Sequence, residues 1–238
     1  MEVIAEEQNR LTKGSKMLGQ GIYTLAEVSS LTEIHPSRVR AWFRTRPDGA
    51  GRGPVFQADY APVKGEYAYS FLDLIDVLVA GQFRDRHNVS MTVVHKAHTV
   101  LQKELSTKHP FCHADLYTDG KRIFSLAAKE VGEPILVEVV SRLQFFLHVR
   151  EKLDHIDYSE VTKLACRWNI AEGVIIDPAV SMGKPTICET GLTTHVMANQ
   201  YYANRENADI VADLYGVCAN DVINAVKFEH FFMRRRVA

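Results

Sequence analysis

Cysteine is scarce here, and none of it is arranged for chemistry. Cys112, Cys166, Cys188 and Cys218 are the four among 238 residues. Their spacings are wide and irregular, with no C-x-x-C and no separated ligand pairs of the kind zinc modules use. Reduced core or surface thiols are expected rather than disulfides. An excess of either charge is also missing, with 28 Lys and Arg against 29 Asp and Glu. The chain is not a polycation, and any nucleic-acid contact must be a local patch. No run of about 18 apolar residues exists, so no membrane-spanning helix is expected. The acidic opening, Met1 to Glu7, lacks the basic and apolar regions of a secretory signal, which points to a cytoplasmic protein. No Ser-His-Asp, Cys-His or paired-carboxylate arrangement can be drawn, so no enzyme and no cofactor is expected. Gly183-Lys184 has no glycine-rich loop before it and is not a P-loop.

Only one short cluster has metal-ligand residue types: His109, Cys112 and His113, stiffened by Pro110. Its intervals are too short for a zinc site built from two separated pairs, so no metal is expected. His95 and His98, three apart on a predicted helix, read as core or solvated histidines.

What is present is a dense arginine patch in the stretch from Gly21 to Arg52. Thr24 with Glu27 three residues later forms a capping box before Leu25, Val28 and Leu31. A turn is expected at Thr32 to His35, and Pro36 then opens a second helix at a position that tolerates proline. That helix, Pro36 to about Arg46, has two faces. Val39, Trp42, Phe43 and Arg46 share one side, and the first three should dock on the preceding helix. Ser37, Arg40, Ala41 and Arg44 share the other, which is small and basic and suits a DNA major groove. Between Ile34 and Phe56 lie five arginines, Arg38, Arg40, Arg44, Arg46 and Arg52, against the single acid Asp48. The DNA-contacting set read from the sequence is Ser37, Arg38, Arg40, Arg44, Arg46 and Arg52. Val55-Phe56 and Tyr67 to Tyr69 are expected as the two strands of a wing with Arg52 at its tip.

Further on, Ser70 with Asp73 caps a strongly apolar helix, and Ser90 starts another that runs to about Leu105. Asp119-Gly120 between extended runs predicts a hairpin. Pro134 to Leu153 is apolar over a wide arc, expected of a subunit interface. Asp154 to Ile170 reads as a connector with an extended piece at Arg167 to Ile170. Helices are expected at His195 to Ala203, Asn207 to Tyr215 and Asn220 to Phe232, with Gly216 as a left-handed terminator and Asn220 as a cap. The expected fold is mainly α with small β hairpins. It has an arm at 1–20, a winged helix-turn-helix at 21–105, an α+β middle at 106–170 and a helical C-terminal domain at 171–238.

Two resemblances add to this. Tyr23 to Val28, Val39 to Trp42 and Tyr69 to Leu74 resemble the DNA-binding domain of MerR-type regulators. The run from Val174 to Ile187, which contains Asp177-Pro178 and Gly183-Lys184-Pro185, is similar to a small domain of VapB-type antitoxins, together with Asp213 to Val217 and Asp221 to Val226. The chain departs from that pattern at Cys188 to Thr194, where the antitoxins commonly have a basic or small residue followed by an Arg-Ile-Pro-like run. The resemblance implies a homodimeric antitoxin that represses its own operon through operator DNA and silences a PIN-like ribonuclease toxin. Such toxins hold Mg²⁺ in clustered carboxylates, and Arg234, Arg235, Arg236 and Lys227 would be the cations that enter the site. From the residues alone, Asp177-Pro178 and Gly183-Lys184-Pro185 are turn chemistry. The alternative is a stand-alone MerR-like regulator that responds to a small effector.

Overall fold

The structure, a computed structural model, describes residues 20–44, 53–132, 134, 137, 151 and 153–236; of 117–123 and 233–236 only the backbone is described. The chain forms two compact units, Tyr23–Cys166, and Met1–Ile22 with Arg167–Ala238. Among the described residues it is an α+β protein of helices with one four-stranded sheet, and no described helix is long and apolar enough to cross a membrane.

The first unit opens with α1 (Leu25–Thr32) and α2 (Pro36–Phe43). Both start where local chemistry directs. The Thr24 amide donates to Glu27 Oε2 at 2.8 Å, and the Glu27 amide donates to Thr24 Oγ1 at 3.3 Å. These reciprocal bonds satisfy donors that a helix end leaves unpaired. α1 stops at Glu33, which adopts a left-handed φ of 64°. Pro36 sits in the first turn of α2, and His35 Nδ1 accepts from the Ser37 amide at 3.3 Å. α2 ends at Phe43, short of the expected Arg46, because Arg44 is already extended. α3 (Phe71–Gly81) repeats the capping box with Ser70 and Asp73 and is the buried spine of the unit. Its last residue is glycine, where a Cβ would meet Ile34 Cδ1 at 2.6 Å and force that side chain to shift. A π-helical turn (Gln82–Arg86) leads to α4 (Met91–Glu104), capped by Ser90. The 3-10 turn Pro110–Cys112 and α5 (Ala114–Val131) follow.

The expected wing strands at Val55-Phe56 and Tyr67 to Tyr69 do not form as such among the described residues. The Phe56 amide donates to the Trp42 carbonyl at 3.1 Å, so Val55-Phe56 belongs to a loop held against α2. The tight turn forms further on, where Val63 and Glu66 exchange both backbone bonds and Lys64 and Gly65 have φ of 52° and 82°. Two successive positive φ values are the geometry of a two-residue hairpin turn. Tyr69 pairs instead with Tyr23, antiparallel. Asp119-Gly120 makes no hairpin either: both lie inside α5, whose Leu116, Phe124, Ala127 and Ala128 are buried at helical spacing. An internal glycine costs a helix only about 1 kcal/mol, which burial of that face outweighs. Of the expected apolar helix at Pro134 to Leu153 almost everything lies outside the described residues, as does the arm at 1–20 apart from Gln20.

The expected connector at 154–170 contains two strands, β1 (Ile156–Tyr158) and β2 (Ala165–Ala171), with β2 continuing into the second unit. β3 (Val174–Ile176) and β4 (Pro185–Ile187) complete a sheet of order β1-β2-β3-β4. β3 runs antiparallel to both neighbours, with Trp168 opposite Ile176 and Val174 opposite Ile187. α6 (Thr194–Ala203), α7 (Ala208–Tyr215) and α8 (Ala219–Arg236) pack together around Ile187, Met197, Val211, Val222 and Ala225. Gly216 ends α7 at φ 66°. α8 starts one residue before Asn220, and Asp221 rather than Asn220 accepts from the Cys218 amide, at 3.2 Å. The Asp-Pro and Gly-Lys-Pro run is a folding corner. Asp177 Oδ1 accepts from the Ala179 amide at 2.8 Å, and the Met182 carbonyl accepts from the Ile22 amide at 3.1 Å.

Candidate nucleic-acid interface

α2 divides as its sequence divides. Val39, Trp42 and Phe43 are buried. Trp42 and Phe43 lie against Phe56, with centroids 6.2 and 5.5 Å away, and Phe43 meets Tyr69 edge-on at 4.8 Å. Ser37, Arg38, Arg40, Ala41 and Arg44 are all exposed. Burial of three large side chains on one face fixes which way the arginines point. Arg46 and Arg52 lie outside the described residues.

Two features of this surface were not legible in the sequence. Arg38 is partnered: its Nη1 lies 2.5 Å from Asp85 Oδ1 on the π-helical turn, with side chains 50% and 39% exposed. The second is an open cleft of about 510 Å³ between the exposed side of α2 and the start of α4. Ser37, Arg38, Ala41 and Arg44 line one wall, Arg84 and the first turn of α4 the other, and no Asp or Glu is among its described lining residues. First-turn N–H groups of a helix have no partner within it and carry a partial positive charge. Three arginines, of which Arg38 is paired with Asp85, and the start of α4 thus surround one groove. His95 also lines it. Burial, with His98 beside it, lowers its pKa. Arg84 escaped sequence reading because it lies forty residues beyond Arg44, and His95, read there as a core or solvated histidine, lies fifty-one beyond; only tertiary packing brings them alongside.

Beneath this surface lies a second, buried cluster. His109 bridges two carboxylates, Nδ1 to Asp76 Oδ2 at 2.7 Å and Nε2 to Asp59 Oδ1 at 3.1 Å. Asp59 is further held by Lys108 Nζ at 2.6 Å and the Ser70 hydroxyl at 2.5 Å. Burial alone would lower the His109 pKa, but the Asp76 and Asp59 carboxylates overcome this and carry it to about 10. Burial likewise opposes ionisation of Asp76, yet His109 and His98 hold its pKa below the ordinary value. Asp73, with less compensation for its burial, is raised to about 6. Cys112 donates to the Leu72 carbonyl, and burial and Asp76 push its thiol pKa well up. Asp76, His109 and Cys112 offer three donor atoms within 4.8 Å of one another, as do Asp59, Asp73 and His109. His113 takes no part: its Nδ1 accepts from the Asp115 amide at 3.3 Å and caps α5.

In the second unit Lys227 is exposed on α8. The backbone of α8 is helical through Arg234, Arg235 and Arg236, whose side chains lie outside the described residues. Exposed apolar side chains accompany Lys227, among them Ile210, Leu214 and Phe231.

No protein-family model matches this chain, and no curated protein matches it. Among solved structures, the X-ray crystal structure of Rv2018 from Mycobacterium tuberculosis is similar, with a TM-score of 0.66 and 24% identity, over 86% of this chain and 96% of that one. That likeness is one of fold.

Proposed function

We propose that this protein is an antitoxin and autorepressor: α1 and α2 act as a helix-turn-helix on operator DNA, and the second unit silences a PIN-like ribonuclease. One observation carries the reading. Four positions of α2, Ser37, Arg38, Arg40 and Ala41, and Arg44 just beyond its end are exposed, while the opposite face is locked into an aromatic core. Arg40 and Arg44 would contact base edges and the cationic cleft would take a backbone phosphate. The Val63–Glu66 turn would serve as the wing. A homodimer would read half-sites about 34 Å apart. The toxin half rests on the antitoxin-like run Val174 to Ile187 and on the exposed Ile210, Leu214 and Phe231, apolar groups suited to a protein partner. Lys227 and the arginines at 234–236 would supply its cations.

Electrophoretic shifts and anisotropy on duplex DNA from upstream of its own reading frame test the DNA half. Arg40→Ala and Arg44→Ala should each weaken binding by about 1–3 kcal/mol. A dimer neutralising about eight phosphates gives a log–log salt slope near −7. No loss in either variant, or a slope near zero, overturns it. Co-purification with the product of the adjacent reading frame tests the toxin half. Capture of a nuclease whose activity the chain suppresses supports it. DNA binding with no such partner favours the stand-alone regulator.

A further inference from the structure

The buried cluster under α2 holds one more ligand than its own hydrogen bonds use. His98 is 3% exposed, and its Nε2 has no hydrogen-bond partner although it lies 4.0 Å from Asp76 Oδ2. A buried nitrogen facing a carboxylate without bonding it is unfavourable unless something belongs between them. On the other side of Asp76 stand His109 Nδ1 at 2.7 Å from Oδ2, and Cys112 Sγ at 3.6 Å from Oδ1. We propose that Asp76, His98, His109 and Cys112 bind one borderline divalent cation, Zn²⁺ or a close equivalent, in a closed four-ligand site.

Three arguments support the assignment, independently of any DNA reading. The first is donor chemistry. Two imidazoles, a thiolate and a carboxylate suit zinc-like ions and disfavour Mg²⁺ and Ca²⁺, which take oxygen ligands. The second is spacing. With metal–ligand bonds of about 2.0–2.3 Å in a tetrahedron, neighbouring donors lie about 3.3–3.8 Å apart. The separations of 2.7, 3.6 and 4.0 Å all run to Asp76; Asp76, His109 and Cys112 already gather within 4.8 Å of one another, and His98 Nε2 would swing in from outside that group to complete the set. The third is the outer shell. His109 presents its other nitrogen to Asp59, which Lys108 and Ser70 anchor in turn. A carboxylate fixing the ring of a metal-binding histidine is a recurrent device.

Charge also balances. Without metal, the cluster pairs an imidazolium with a carboxylate. When the cation enters, His109 and Cys112 each release a proton, and the two positive charges meet one carboxylate and one thiolate. The buried centre is neutral either way, so the exchange leaves no uncompensated charge. The cluster is sealed from solvent, so the ion's role is structural. It would tie α3, α4 and the turn Pro110–Cys112 together directly below Phe56, which meets the His98 ring at 5.0 Å and also packs on Trp42.

The test uses the full chain with Cys166→Ser, Cys188→Ser and Cys218→Ser, leaving Cys112 as the sole thiol, reduced and stripped with chelator. Cobalt(II) titration should give a sulfur-to-cobalt charge-transfer band and tetrahedral visible bands that saturate at one equivalent. Zinc(II) should displace them and raise the unfolding temperature. His98→Gln should weaken cobalt binding more than tenfold, and adding Cys112→Ser should abolish the charge-transfer band. A Cys112-only protein that is folded by circular dichroism yet shows no such band overturns the site. A His98→Gln variant that binds as tightly as its parent overturns the four-ligand assignment.

Discussion

Removing the acid at Asp85 should strengthen DNA binding, against the usual direction for a loss of contact. Arg38 and Asp85 form an ion pair at 2.5 Å with both side chains substantially exposed. Such a pair adds about 0–1 kcal/mol to stability, so Asp85→Ala leaves the fold intact. If α2 meets DNA as proposed, the pair contributes no net charge there, and its carboxylate stands beside the arginine near the phosphates. Deleting it turns a neutral pair into a free guanidinium. One added phosphate contact steepens the log–log salt slope by about 0.9 per protomer, so by about 1.8 for a dimer. Relief of a carboxylate–phosphate repulsion at about 7 Å in water is worth about 0.6 kcal/mol. Together these raise affinity by roughly fivefold per protomer at low salt, and by less as salt rises. Because phosphates are read in any sequence, anisotropy on a random duplex suffices, measured at several salt concentrations. Arg38→Ala placed on top of Asp85→Ala should cancel the gain. Equal or weaker binding by Asp85→Ala, with an unchanged slope, would refute the placement of Arg38 against DNA.

Other expectations concern the core and pH. Gly81→Ala should destabilise the first unit by about 1–3 kcal/mol in urea unfolding, because the new Cβ meets Ile34 Cδ1 at 2.6 Å. Ile34→Val in the same chain removes that methyl and should recover part of the loss; no recovery would locate the strain elsewhere. Asp73 gives a pH signature. Its folded pKa of about 6 lies above the ordinary 3.8, so the folded state binds the proton more tightly and acidification stabilises through this group. The gain accumulates as pH falls from above 6 to below 4 and amounts to about 3 kcal/mol. Asp59 and Asp76, whose pKa values are lowered, act in the opposite sense. The comparison must therefore be wild type against Asp73→Asn in metal-free protein, whose stability difference should shift toward wild type on acidification. A difference that is flat with pH would show that Asp73 ionises normally.

Sequence reading succeeded where the information is local. The capping boxes at Thr24 and Ser70, Pro36 in the first turn of α2, Gly216 ending α7 and the buried Val39, Trp42 and Phe43 all depend on residues within a turn or two of one another. It failed where a local signal met a stronger tertiary one. Asp119-Gly120 is a good hairpin turn in isolation, yet it sits in α5 because Phe124, Ala127 and Ala128 gain more by burial on a helical face. The charged groups were hardest, since a charge takes its role from its partner. Arg38 reads as a free cation until Asp85, forty-seven residues on, reaches it. His109 and Cys112 look like a weak motif until Asp76, thirty-three residues before His109, supplies the carboxylate between them. Asp76 itself carries no signal in sequence, as one acid in an apolar helix. Its burial at 1% exposure requires a cationic counterpart, and His109 provides one now where a metal ion would provide another. The exposed arginine face of α2 and the buried ionic cluster beneath it thus both draw partners from distant parts of the chain. The sequence separates them only through the side of each helix on which a residue falls.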